Sequence, residues 1–190
     1  MSDLAIDHAT SALVIIDLQK GIVAGKTVPH ASADVVSRAV RLSAACHAKG
    51  IPVMLVRVDP GPDGMLFPKP IADQPRPATT FGADFADIVP DLTAELADAI
   101  ITKHQPNAFF GTDLEIQLRR RGIRTIILAG IATNLGVEAT ARAAHERGFE
   151  QVFVEDVMAA RELDLHVHSV TRIFPTIGRV RSLDQVVSSL

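Results

Sequence analysis

The chain predicts an α/β fold of three layers: a mostly parallel, six-stranded, Rossmann-like sheet with helices on both faces. Three observations carry that expectation. Short runs rich in Val, Ile and Leu alternate with amphipathic stretches from end to end. The runs do not alternate strictly between apolar and polar residues, which is the pattern of strands covered on both faces. Glycines follow closely on three of the amphipathic stretches, where helices commonly stop. Strand, helix, strand in repeated order is how parallel strands joined by right-handed crossovers read in sequence.

The first strand is expected over residues 11–18, an unbroken apolar run that ends at Asp17 and Leu18. A helix follows over 33–49, stopped by Gly50, and a second strand over 52–58. Residues 59–90 carry most of the prolines and predict a long irregular loop, an element that serves as a lid, a binding loop or a subunit contact. Ala99 to Thr102 is the third strand, followed by a helix over 113–121 that stops at Gly122. The fourth strand, 125–131, leads into a helix over 135–147 that stops at Gly148. A fifth strand over 151–157, a helix over 163–174, a short strand over 179–181 and a helix from Leu183 complete the order. No internal repeat or linker divides the chain, so its 190 residues are expected to form one domain over 1–190.

Composition narrows the function. A formal net charge of -3, with 8 Phe and no Trp or Tyr, offers neither a basic face nor rings for base stacking, so no nucleic-acid partner is expected. The N-terminus lacks a basic stretch followed by an apolar one, and the apolar runs are far shorter than the ~18–20 residues of a membrane span, which predicts a cytoplasmic protein without a membrane partner. Cys46, the one cysteine, permits no internal disulfide and suits a reducing compartment. Its helical surroundings make it a small buried hydrophobe.

Asp17 closes a buried run, where loss of water raises a carboxyl pKa and a nearby cation lowers it. It reads either as a proton-transfer group or as a cap for backbone amides. Lys103 closes another apolar run, Ile100-Ile-Thr-Lys103, and a cation there needs an anion. Pairing with Asp17 answers it, whether for catalysis or as a structural ion pair. Both residues and the turn after Ile131 fall at carboxyl ends of strands, the ligand-binding edge of such sheets. Arg119, Arg120 and Arg121 read as a solvated helix end complementing the helix dipole, and His166 and His168, two apart, as ordinary surface histidines on different faces. Gly130 belongs to no Gly-x-Gly-x-x-Gly array.

Taken together, Val14-Ile-Ile-Asp17-Leu-Gln19, Ile100-Ile-Thr-Lys103, Asn107-Ala-Phe-Phe-Gly-Thr-Asp-Leu, Leu128-Ala-Gly-Ile-Ala-Thr-Asn-Leu-Gly136 and Val137-Glu-Ala-Thr-Ala resemble the isochorismatase-like, or cysteine hydrolase, superfamily. The resemblance spans residues 13–183. In that superfamily an aspartate, a lysine and usually a cysteine meet at one site, which implies catalytic roles for Asp17 and Lys103. Gly136 stands where the cysteine would be, as in the branch, isochorismatase included, that works without a thiol. Glycine cannot attack, and Thr133 and Thr140 are offset from that position. The resemblance also implies a non-proline cis peptide between Ile131 and Ala132, with backbone amides facing the substrate oxygen. The Asp-x-His-x-x-His metal site of the nicotinamidase branch has no counterpart in Val56-Arg-Val-Asp-Pro-Gly-Pro-Asp, so no metal and no other cofactor is expected.

The resulting expectation is a small-molecule hydrolase in which Asp17 is a general acid on a vinyl ether or similar acid-labile bond. Lys103 would hold the carboxylate and the substrate anion, and water would complete the reaction. Gln19 is an expected polar orienter, Phe110 or Phe109 an apolar wall, and Ile131, Ala132 and Gly136 line the substrate. A catalytically idle binding or assembly module on the same fold is the alternative, and hydrolysis of an imine or cyclic amide by activated water is a third. A homo-oligomer is expected, given a mean hydropathy of +0.23 and the proline-rich loop.

Overall fold

The computed structural model describes residues 4–74, 80–92 and 96–190, so residues 75–79 of the proline-rich loop lie outside the described residues. Six strands form one sheet: β1 (Ser11–Ile16), β2 (Val53–Val58), β3 (Ala99–Lys103), β4 (Thr125–Ile131), β5 (Glu150–Ala159) and β6 (Arg179–Arg181). Their spatial order is β3-β2-β1-β4-β5-β6, and each neighbouring pair is parallel. Strand order reverses between β1 and β4, and in open α/β sheets the carboxyl ends of the strands at such a reversal are where ligands commonly bind.

Side-chain alternation along the strands builds the three layers. Leu13 and Ile15 of β1 face one core with Val35, Ala39 and Leu42 of α2 (Ser32–Ala48) and Leu183 and Val186 of α7 (Leu183–Val187). Ala12, Val14 and Ile16 face the other, with Leu114 and Leu118 of α3 (Leu114–Arg120), Ala141 and Ala144 of α4 (Glu138–Glu146) and Phe174 of α6 (Phe174–Ile177). Both faces of β1 are therefore dry, which is why its sequence is a continuous apolar run. Cys46 sits fully buried in the first core, and burial pushes its thiol up to about 12.

Several boundaries differ from the sequence expectation, each for a local reason. β1 ends at Ile16, because Asp17 adopts φ +54° and swings the chain out of the strand. Aspartate tolerates that left-handed conformation better than most residues. A short helix, α1 (Lys20–Val23), then follows. The helix expected over 135–147 begins as a wide π-type turn, Thr133–Val137, before α4. The one expected over 163–174 divides into α5 (Leu163–His168), a π-type turn (Ser169–Ile173) and α6. β5 extends to Ala159, its pairing with β4 shifting register between Leu128 and Gly130 so that Gly130 pairs with Met158 and Ile131 with Ala159. Of the arginine cluster, Arg119 lies over the Phe149 ring, 4.2 Å from its centroid, and donates to the Arg147 carbonyl at 2.6 Å.

Gly130 sets how closely β4 meets β1. It has φ +123°, and a Cβ there would overlap the Ile16 carbonyl oxygen and lie 2.6 Å from the Ile16 nitrogen, a backbone that cannot step aside. Gly130→Ala is expected to lower stability by about 3 kcal/mol through strain and overpacking, read from the urea midpoint at unchanged m. A loss below about 0.5 kcal/mol would show that the strands have slack there.

Candidate active site

Three segments distant in sequence converge at the carboxyl ends of β1, β3 and β4. The turn at Asp17 brings its Oδ2 to 2.7 Å from Lys103 Nζ, at the end of β3. Neither residue is open to bulk water: Asp17 is 5% and Lys103 1% exposed. Asp17 Oδ1 is also buried, and among the described residues no protein group hydrogen-bonds it.

Gly136 lies against this pair. A Cβ at that position would sit 2.9 Å from Ile16 Cγ2, 3.0 Å from Asp17 Oδ2 and 3.5 Å from Lys103 Nζ. The residue where the superfamily's cysteine is expected is thus directly above the ion pair, and here it supplies no side-chain atom. Cys46 belongs to the core between the sheet and α2, so no thiol reaches the site. The peptide between Ile131 and Ala132 is cis, Ile131 is buried and Ala132 half-buried, and both lead into the turn that carries Gly136.

The remaining expected contacts are arranged differently. Gln19 is fully buried, and its amide is committed to backbone: Oε1 accepts from Val58 N at 2.7 Å, while Nε2 donates to the carbonyls of Val58 and Phe85, each at 2.9 Å. It clamps the chain after Asp17 to the end of β2 and to the loop segment at Phe85. Phe109 is a core residue 5.8 Å from the Phe149 ring centroid, whereas the Phe110 side chain is 69% exposed.

The expectation of a surface histidine fails for His166, which is 2% exposed, and holds for His168. His166 faces inward from α5 because two polar partners receive it: Thr133 Oγ1 lies 2.8 Å from Nδ1 and Glu155 Oε1 3.3 Å from Nε2. The sequence held one signal of this, an acidic pair, Glu155-Asp156, inside the apolar β5 run. Among the described residues, no group of three or more His, Cys, Asp or Glu side chains is arranged to hold a metal ion, and no helix is long and apolar enough to cross a membrane.

Burial dominates the electrostatics of Asp17. Loss of water raises its pKa to about 6, against the opposing pull of the Lys103 charge and hydrogen bond. Because the folded state holds this proton more tightly than the unfolded chain, the stability this group contributes is complete below pH ~4 and lost as pH rises through about 6. Lys103→Met removes both lowering influences, so the Asp17 carboxyl resonance is expected to titrate at least about one unit higher in that variant. A midpoint unchanged or lowered would show that the lysine does not act on the carboxylate.

The model of the Isochorismatase domain family matches residues 11–185. The chain is 45% identical, over 98% of its length and 100% of the relative's, to the uncharacterized isochorismatase family protein YecD of Escherichia coli O157:H7. It is 31% identical to the ureidoacrylate amidohydrolase RutB of Methylobacterium radiotolerans, over 98% of this chain and 82% of that one. Among solved structures, an isochorismatase family protein from Burkholderia thailandensis superposes with a TM-score of 0.93 at 40% identity, covering 100% of this chain and 99% of the other. With the strand order, the buried Asp17–Lys103 pair and the turn bearing Gly136 in place, these likenesses show that the chain belongs to the isochorismatase family, with a glycine where a cysteine nucleophile would stand.

Proposed function

We propose that this protein hydrolyses a small molecule with Asp17 as general acid and water as nucleophile. The observation that carries the reading is the sealed Asp17–Lys103 contact beneath a residue without a side chain. A carboxyl titrating near 6 keeps a fraction of its protons at neutral pH, which suits it to proton donation. On an enol ether, the Asp17 proton goes to the terminal vinyl carbon. Water adds to the resulting oxocarbenium carbon and loses a proton, and the hemiketal collapses to a carbonyl and an alcohol as the C–O bond breaks. Lys103 stabilises the carboxylate left behind until the proton returns.

Without a side chain, Gly136 brings its backbone close over the pair, where even a Cβ would lie 2.9 Å from Ile16 Cγ2. The backbone around Ile131 and Ala132 flanks the same place, so the substrate and the attacking water would meet main chain there and no thiol. Gln19 serves this site by positioning the Asp17 turn. A cytoplasmic setting and a homo-oligomer belong to the same proposal. Exposed Phe110 (69%), Leu135 (50%) and Leu163 (53%) support an assembly that covers apolar surface. Phe110 enters the substrate wall only if such an assembly encloses it.

Assays with isochorismate, simple vinyl ethers and small amides test the chemistry. Asp17→Asn is expected to lower kcat/KM about 100-fold or more, and wild-type kcat/KM to decline as pH rises above about 6, when the acid loses its proton. Iodoacetamide and Cys46→Ser are expected to leave activity intact, since the only thiol is buried with a pKa near 12. Inactivation that tracks alkylation of Cys46, with Asp17→Asn fully active, would overturn the mechanism. Ligand-induced melting shifts without turnover would mark a binding module instead.

Light scattering is expected to return a dimer or larger assembly. A 20.3 kDa monomer across a wide concentration range would remove that part of the proposal.

A further inference from the structure

The turn Thr133–Val137 places Gly136 over the ion pair, so whatever fixes the turn also fixes the roof of the site. Inside the turn, the Ala132 carbonyl accepts from Leu135 N at 3.1 Å and Val137 N at 3.2 Å. One further tie runs outward from its first residue, to His166. Thr133 and His166 are both buried, and His166 is itself held from behind by Glu155. We propose that His166, backed by Glu155, is a positioning residue for the active site: through Thr133 it holds the turn that closes Gly136 over Asp17 and Lys103.

The protonation pattern follows from the partners. The hydrogen bond from His166 holds Glu155 below the usual carboxylate range, so Glu155 is an acceptor. The His166 Nε2 therefore carries a hydrogen toward Glu155, and in the neutral ring the bare Nδ1 accepts the Thr133 hydroxyl proton. Two other ionisable groups face this chain. His30 Nε2 stands 3.6 Å from the same Glu155 oxygen, with its ring edge-on to His166 at 6.4 Å, and Glu138 accepts from Ser169 Oγ at 2.7 Å, one helical turn beyond His166. A histidine kept only for packing would not need a carboxylate on one nitrogen and a hydroxyl of the active-site turn on the other.

Thr133→Val and Thr133→Ser test the tie without changing charge, alongside His166→Leu and His166→Asn. The readout is the NMR titration of the Asp17 carboxyl. Releasing the turn admits water to Asp17, so its midpoint is expected to fall by about one pH unit in Thr133→Val and His166→Leu. It stays near the wild-type value in Thr133→Ser, which keeps the hydroxyl, and in His166→Asn, whose amide oxygen stands in for Nδ1. Thr133→Val titrating with Thr133→Ser at the wild-type midpoint would overturn the proposal, and this pair decides the matter even if His166→Leu does not fold. The inference uses the proposed role of Asp17 but not its turnover. If no substrate is hydrolysed by any form, the functional reading fails while the titration still decides the role of His166.

Discussion

The rest of the molecule is arranged around one contact, the bond between Lys103 and Asp17 at 2.7 Å in a place that water barely reaches. Two charges removed from water lose several kcal/mol of hydration each, and their attraction compensates only when geometry is good and the remaining valences are met. The geometry is good here, yet among the described residues no protein group meets Asp17 Oδ1. A buried acceptor without a protein partner is a cost to folding, and it adds to the cost of burying the charge. The rise in the Asp17 pKa has the same origin, since desolvation outweighs the lysine.

Topology supplies the convergence. Asp17 leaves the sheet at β1, the strand on one side of the reversal, and the Gly136 turn leaves it at β4, the strand on the other. Lys103 comes from β3 at the sheet edge and reaches past the end of β2 to meet them. Close approach of β4 to β1 is permitted by Gly130, and close approach of the following turn to the ion pair by Gly136. Gln19 then closes the other side, joining the chain beyond Asp17 to the end of β2 and to the Phe85 segment. On the far side of the turn, Thr133 meets His166.

Much of this was legible in the sequence because burial on both faces writes itself as continuous apolar runs. β1, β2 and β4 lie within a residue or two of their expected bounds, and charged residues at the ends of such runs point to the pairing of Asp17 with Lys103. The missing thiol was equally plain at Gly136. What stayed hidden depends on partners that no local pattern encodes. His166 sits among Leu163, Leu165 and Val167, all exposed, so periodicity gives no sign that the histidine is the residue turned inward. Gln19 reads in sequence as a polar orienter near the acid, but backbone groups of Val58 and Phe85, about 40 and 66 residues away in sequence, consume its amide. The π-type turns at Thr133–Val137 and Ser169–Ile173 likewise answer to tertiary contacts rather than to helix propensity.

A double-mutant cycle on the two charged residues measures the central contact most directly, using urea unfolding of wild type, Asp17→Asn, Lys103→Met and the double variant. A buried pair in which each charge exists for the other predicts a loss of about 3–5 kcal/mol for a single variant that leaves a charge unpaired. The double variant should then lose clearly less than the sum of the two, with a coupling of about 2 kcal/mol or more. Additive losses, or single variants as stable as wild type, would contradict the account, because Asp17 and Lys103 would then be neighbours that do not depend on one another.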